Sequence, residues 1–457
     1  MEAGLFRFLR FSLGLEGEVK DLPDGRQGCF DWDACYQFAK RQTLVGVLFD
    51  GIQRLPKELA PARPLLLRWL SDSESIRRRN MRMDRASAYI YNKLCAAGFR
   101  CFILKGQGNA LLYPHPSSRI PGDVDLWVMA NREELRHIAL SLTEGDGSSL
   151  QESLNHIGLT VHGVSVELHS TPALLNSPLH NSRLQKWLKR NADLQCSNRI
   201  ALPNNAGEVA VPTVSFNIIY QLCHLFHHCF YEGVGLRQIV DYYFVLKNTD
   251  FSGNTDEGAG NTDRDEVLLN TDFTDSTDSS SGDFEGDGCF LNTDYTDYTD
   301  RFSGNTDEGC FLLNTDCADF LDSSSGGLGE VDSGGALVAL QEELKWLGLW
   351  EFAGAVMYVL REVMGQDEKR MVCAPDERRG RLLLEEIMAG GNFGHYDERN
   401  HFGQGALWHN IQRFRRDWRM LRFYPSEALS EPLFRVCHFL WRWKQKHTGK
   451  PKERNRN

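Results

Sequence analysis

Between Trp32 and Phe49 (WDACYQFAKRQTLVGVLF) the apolar residues fall three and four apart. That spacing predicts a helix with one buried face. Pro56, Pro61 and Pro64 interrupt the chain, and a second helix is predicted from about Leu65 to Ala97. Its middle, SIRRRNMRMDR, reads as a solvated, arginine-rich face. The character changes at Gly98. Phe99–Leu104 is a short β-prone run, and GNALLYPHP reads as a short helix stopped by Pro114 and Pro116. A strand at Val124–Met129, a helix at Arg132–Leu142 and two strands at Leu159–His162 and Val164–His169 follow, the last two joined at Gly163. After Pro212 the pattern is helical again, at Thr213–Tyr231, Leu236–Leu246, Gly335–Met364, Arg378–Met388, Leu407–Arg422 and Leu433–Gln445.

This order predicts an α/β + α fold, a small mixed sheet with helices embedded in N- and C-terminal helical regions. The expected divisions are a helical region over 1–97, an α/β core over 98–205, and a helical domain made of 206–247 and 336–450. Between the two parts of that helical domain, residues 248–335 repeat the triplet Asn-Thr-Asp seven times and the octet FSGNTDEG twice. Such a stretch buries too little apolar surface to offset its ordering entropy, so it is expected to be a disordered acidic insertion. Its Asp and Asn side chains are also calcium-type donors, but the spacing is irregular and lacks a twelve-residue loop ending in Glu.

Charge changes the picture only once it is divided. The 457 residues carry 51 Lys+Arg, 62 Asp+Glu and a net charge of −11. Residues 248–335 hold 22 acidic and two basic side chains, a net −20, so the rest of the chain is +9. An acidic average therefore does not exclude a polyanionic ligand such as a nucleotide. No run approaches eighteen uninterrupted apolar residues, which argues against a membrane span. The N-terminus lacks a signal-peptide pattern, and twelve scattered cysteines without a C-x-x-C pair read as reduced thiols. Both features point to the cytoplasm.

The chemistry concentrates in FILKGQGNALLYPHPSSRIPGDVDLWV, residues 102–128. Asp123 and Asp125, two apart on a strand, project from one face. Paired carboxylates repel unless a cation lies between them, so the pair asks for a divalent metal; taken alone, it would favour a solvated edge strand with two surface aspartates. Lys105-Gly106 follows a strand and opens a helix, a setting suited to phosphate. Arg119, four residues before Asp123, is placed to reach a triphosphate or to orient a carboxylate. Glu167 and His169 share a face of the strand VSVELH, and Glu167 supplies a third carboxylate. Such a set suits two Mg²⁺ ions, the arrangement for in-line attack on phosphorus.

This stretch resembles the nucleotidyltransferase superfamily with a polymerase-β-like core. More narrowly, the chain resembles a bacterial family of uncharacterised nucleotidyltransferases through LKGQGNALLYPHPSSRIPGDVDLWV, VELH at 166–169, HLFHHCFYEGVGLRQIVDYYFVL at 224–246 and GGNFG at 390–394. The Lys-Gly…Arg…Asp-x-Asp order is also similar to abortive-infection-type nucleotidyltransferase toxins. The resemblance implies that Asp123, Asp125 and Glu167 are catalytic and hold metal (two Mg²⁺, or Mn²⁺). It implies that Lys105, Gly106 and Arg119 hold the β- and γ-phosphates, and that His228 and Arg237 lie against the nucleotide. One departure is plain: the loop Gly106-Gln107-Gly108-Asn109 carries no hydroxyl, where the superfamily usually has Ser or Thr.

The expected activity is Mg²⁺-dependent transfer of a nucleoside monophosphate from an NTP to a hydroxyl acceptor, releasing pyrophosphate. The acceptor is left open among a protein side chain, an RNA end and a small molecule. A non-catalytic nucleotide-binding module and metal-dependent phosphoryl transfer or hydrolysis are the alternatives. In Cys223-His224-Leu225-Phe226-His227-His228-Cys229, His224 and His228 lie at a zinc-ligand spacing, but on a strongly apolar helix where core histidines are expected. Arg237 and Asp241 are spaced for a helix ion pair. Trp408, Arg413, Arg415, Arg416, Trp418, Arg419, Arg422, Trp441, Arg442 and Trp443 read either as a nucleic-acid face or as amphipathic helices with snorkelling arginines.

Overall fold

The computed structural model describes residues 2–17, 30–143, 150–249, 333–397, 399 and 406–448. The repeat predicted to be disordered lies almost wholly outside them. What is described is rich in helix around a small mixed sheet. Four helices come first: α1 (Glu2–Ser12), α2 (Trp32–Arg41), α3 (Val45–Gln53) and α4 (Arg63–Ala96). The single helix predicted over 32–49 is thus two. The break holds Thr43 at φ 54° and a buried Gln42. Gln42 donates to the Ile387 carbonyl (3.1 Å) and accepts from the Leu236 N–H (2.9 Å), so the interruption is a joint to distant helices. The arginines of α4 stand mostly on its solvated side, while Trp69, Met83, Ile90 and Leu94 are buried.

The strands are β1 (Cys101–Ile103), β2 (Val124–Val128), β3 (Gln151–Glu152), β4 (His156–Val161) and β5 (Val164–His169). They form one sheet in the order β1-β2-β5-β4-β3. Only β2 and β5 are parallel, and α6 (Arg132–Leu142), opened by an Asn131–Glu134 capping box, stands in the crossover between them. The β4–β5 hairpin turns through His162 (φ 50°) and Gly163 (φ 71°). Two positive φ values in a two-residue loop match the twist of the flanking strands, and glycine supplies one without strain.

Two elements were not anticipated: helix α7 (Pro178–Ser197) and the hairpin β6 (Arg199–Leu202)–β7 (Gly207–Ala210). The chain then enters α8 (Val214–Tyr231) and α9 (Leu236–Lys247), whose residues are mostly buried. The predicted helix over 335–364 is α10 (Ser333–Trp346) and α11 (Trp350–Met364), divided at Gly348 (φ 72°). Helices α12 (Glu377–Gly390), α13 (Ala406–Leu421) and α14 (Pro425–Thr448) complete the fold. A short helix, α5 (Gln107–Ala110), sits between β1 and β2. One apolar core joins sheet and helices: Phe102, Leu126, Val166, Tyr220, Leu222, Phe352 and Val359 are all at most 1 % exposed. No described helix is long and apolar enough to cross a membrane. The eight cysteines among the described residues are free.

Candidate active site

Strand register assembles the site. Parallel pairing of β2 with β5 sets Asp125 directly beside Glu167 and Trp127 beside His169. Antiparallel pairing of β5 with β4 sets His169 opposite His156. Side chains two apart on a strand share a face, so Asp125, Glu167, His169 and His156 project together. Asp123 stands one residue before β2, on the same side as Asp125. Carboxylate oxygens of Asp123, Asp125 and Glu167 all lie within 4.8 Å of one another.

That much negative charge is held by two internal cations. Lys105 Nζ is 3.2 Å from Asp125 Oδ2. His169 Nε2 is 3.1 Å from both Asp125 Oδ1 and Glu167 Oε2. Burial alone would lower the Lys105 pKa, but the charges of Asp125, Tyr220, Asp123 and Glu167 raise it. Burial likewise opposes a charged His169, yet its bonds to Asp125 and Glu167 carry it up to about 9. Asp125 stays below the usual carboxylate range despite its burial, because of Lys105 and His169. Asp123 shifts the other way, raised by burial and by the charge of Asp125. Three carboxylates against two cations leave one negative charge unmatched, and hard oxygen donors at this spacing fit a divalent ion.

The loop after β1 is anchored rather than open. Gln107 donates to Asp84 of α4, and Asn109 Oδ1 accepts from Asn217 (3.0 Å) and Gln221 (3.2 Å) of α8. The two side chains standing where the superfamily carries a hydroxyl therefore turn inward. Gly108 packs tightly, since a Cβ there would meet a Val211 methyl at 3.0 Å. Gly106 has φ 57°, and the helix it opens is one turn long, so it brings little helix dipole. The helix predicted from Lys105-Gly106 is present, but the expectation of a dipole-assisted phosphate site is much reduced.

Arg119 is 4 % exposed and its fork sits on Asp241 of α9, with Nε–Oδ1 and Nη2–Oδ2 both 2.7 Å. Tyr113 Oη donates to the same carboxylate at 2.6 Å. The carboxylate that Arg119 orients is thus Asp241, and a contact with phosphate would require that pair to open. Asp241 was expected to pair with Arg237; its carboxylate takes Arg119 and Tyr113, and Arg237 Nη1 donates to the Ile120 carbonyl (2.9 Å).

On α8, His224 Nε2 lies 3.1 Å from Lys105 Nζ and 2.9 Å from His228 Nε2. Burial and the Lys105 charge drive the His224 pKa well down, so it is a neutral neighbour of the ammonium. His228 approaches Glu232 at 3.0 Å. Its ring stacks at a tilt on Phe393 of the GGNFG segment, which places His228 between the lysine and that loop. Lys105 and His224 form a link between metal-type carboxylates and α8 that spacing alone did not suggest. The missed residue of the cluster is His156. Only the register of β4 against β5 brings it in, and β4 begins three residues earlier than its apolar pattern indicates.

At the C-terminus the arginines divide. Arg416 donates to the carbonyls of Phe230 and Glu232, and Arg419 pairs with Glu386 at 3.2 Å. Arg413, Arg415, Trp418 and Arg422 are exposed. The side chains of Trp408 and Arg442 lie outside the described residues.

The family described as uncharacterised nucleotidyltransferase matches residues 28–259, about half of the chain, and this protein belongs to it. No curated protein matches. Among solved structures, an antigenic nucleotidyltransferase-like protein from Paracoccidioides brasiliensis matches at 16% identity and a TM-score of 0.24, over 36% of this chain and 75% of that one. Likeness at that level decides nothing about fold or chemistry.

Proposed function

We propose that this member of the nucleotidyltransferase family moves a nucleoside monophosphate from an NTP to a hydroxyl acceptor, on a polymerase-β-like arrangement of β1, α5, β2 and β5. The observation that carries the reading is the in-register carboxylate set Asp123, Asp125 and Glu167. Its oxygen-only donors would hold Mg²⁺ or Mn²⁺. A divalent ion there supplies neutralising charge and lowers the pKa of a bound hydroxyl.

The chain's own groups do the rest. Glu167, partly exposed beside Asp125, accepts the acceptor's proton as the hydroxyl oxygen bonds to the α-phosphorus. The bond from that phosphorus to the bridging oxygen breaks, and the electron pair leaves with pyrophosphate. Lys105, strongly cationic, balances the departing charge, and Gly106 offers backbone where a side chain would crowd the phosphates. His228 and Arg237 flank the nucleotide from α8 and α9. Arg119 acts through Asp241 to hold the 113–120 segment rather than on phosphate. A protein side chain, an RNA end and a small hydroxylated molecule all remain acceptors of this chemistry, and the exposed Arg413, Trp418 and Arg422 support the RNA option.

The inward-turned Gln107 and Asn109 support a second reading, a nucleotide-binding module without turnover. Purified protein with Mg²⁺, each α-labelled NTP and a cell lysate separates them. Label transfer lost in Asp123→Asn/Asp125→Asn supports transferase action. Metal-dependent NTP binding without transfer supports the binding module. Transfer of γ-label in place of α-label sinks nucleotidyl transfer in favour of phosphoryl transfer.

A further inference from the structure

Glu167 belongs to two clusters. One is the oxygen set with Asp123 and Asp125; the other is His156, Glu167 and His169, whose ligand atoms also lie within 4.8 Å of one another. The two oxygens of Glu167 point to different rings. Oε2 is 3.1 Å from His169 Nε2, and Oε1 is 3.6 Å from His156 Nε2. The rings themselves are 5.1 Å apart, on neighbouring strands at paired positions His156 and His169. Paired positions on adjacent strands are the geometry in which two imidazoles converge on one point.

Charge accounting does not explain His156. Asp125 already has Lys105 and His169, and Glu167 already has His169. His156 Nε2 is too far from Glu167 for a hydrogen bond. His169 is 6 % exposed, and its Nδ1, like that of His156, has no hydrogen-bond partner among the described residues. One buried and one half-buried ring thus face a single carboxylate through their Nε2 atoms, with His156 Nε2 at 3.6 Å, short of a hydrogen bond. A divalent cation there takes the place of the proton that His169 Nε2 shares with Asp125 and Glu167, and gives His156 Nε2 a partner.

We propose that His156, Glu167 and His169 form a second, nitrogen-rich metal position that takes a divalent transition ion of the Zn²⁺, Co²⁺ or Mn²⁺ class. Imidazole donors favour such ions, whereas Mg²⁺ and Ca²⁺ favour oxygen alone. Three protein ligands leave a fourth place for water or a substrate oxygen. Glu167 then bridges a hard oxygen position and a softer nitrogen position, and the proposal rests on the transferase reading only through that shared side chain.

Co²⁺ is the probe, because its visible absorption reports ligand type. Full-length protein freed of metal is titrated with Co²⁺ in the presence of millimolar Mg²⁺, by absorption and by calorimetry. The expected result is one Co²⁺ per chain retained against Mg²⁺, with His156→Ala weakening it at least tenfold and Asp123→Asn leaving it unchanged. Circular dichroism checks that each variant is folded, and His169→Gln provides a second removal of a ring nitrogen. Co²⁺ that Mg²⁺ displaces completely, or that binds His156→Ala as tightly as the parent, overturns the nitrogen position. Loss of label transfer in Asp123→Asn with Co²⁺ binding intact keeps the two questions separate, since a failed transferase reading leaves this titration unaffected.

Discussion

The segment from Lys105 to Asp125 ends in two buried charge clusters that behave oppositely. At one, Arg119, Asp241 and Tyr113 close on each other: every short contact is internal, and the groups are at most 5 % exposed. At the other, Asp123, Asp125 and Glu167 outnumber Lys105 and His169, and Asp123 is driven upward by burial and then by its neighbour's charge. The first is neutral in sum and sealed. The second is short of positive charge and partly open to solvent. A matched buried pair serves position, whereas an unmatched one asks for a ligand. Both use the same residue types, so type alone does not separate structure from chemistry; the count of partners does.

The closed cluster gives the largest expected effect. Arg119→Ala leaves Asp241 buried without its fork, at a cost of about 3–5 kcal/mol, read as a clear drop in the urea midpoint. Arg119→Met/Asp241→Leu removes both charges and recovers most of that loss. If Arg119→Ala unfolds like the parent but loses NTP affinity, the pair opens in the working protein and the contrast drawn above fails.

The open cluster is sharpened by Lys105. Lys105→Met removes a cation that any metal must share with Asp125. Transfer is expected to fall about 100-fold, while Mg²⁺ affinity measured by calorimetry is unchanged or tighter. A parallel loss of Mg²⁺ binding would mean that the lysine builds the site rather than serving the phosphates. Somewhat smaller is the effect of Mg²⁺ on unfolding. At one hundred times its dissociation constant, binding to the native state adds about 2.7 kcal/mol. The melting temperature of the parent should therefore rise by several degrees, and that of Asp123→Asn/Asp125→Asn should not.

The legible part of this molecule is what short periods encode. Asp123 and Asp125, the VELH strand, α6, α8 and α9 are all plain from spacing, because each buries one face or alternates. The Lys105–His224 link and the Arg119–Asp241 pair join residues more than a hundred positions apart, and nothing in local period reports them. The α2–α3 break shows the same limit: its apolar spacing runs on, yet Gln42 is captured by Leu236 and Ile387, and tertiary hydrogen bonds override the helical pattern. His156 is missed for a related reason, since its place depends on strand register, and α7 and the β6–β7 hairpin lack a strong enough period to announce themselves.

A third charge cluster tests the partner-counting rule where no chemistry is expected. Asp417 of α13 lies buried near Glu431 of α14, with one arginine, Arg435, at 3.3 Å and 2.6 Å from the two carboxylates. Burial, and then the charge of Glu431, raise Asp417 to about 7. Here two acids share one cation, as at the open site, but inside a helix pair. A carboxyl whose folded pKa exceeds its unfolded value of 3.8 binds more protons when native. Its contribution to stability is therefore present at acidic pH and is lost as pH rises from about 4 to about 7. Thermal unfolding at pH 5 and at pH 8 should differ by a few degrees in that direction, and Asp417→Asn should flatten the difference by stabilising the protein at pH 8. A parent whose α13–α14 region grows more stable over the same interval would show that Arg435 satisfies both carboxylates, and that counting partners underrates a single well-placed guanidinium.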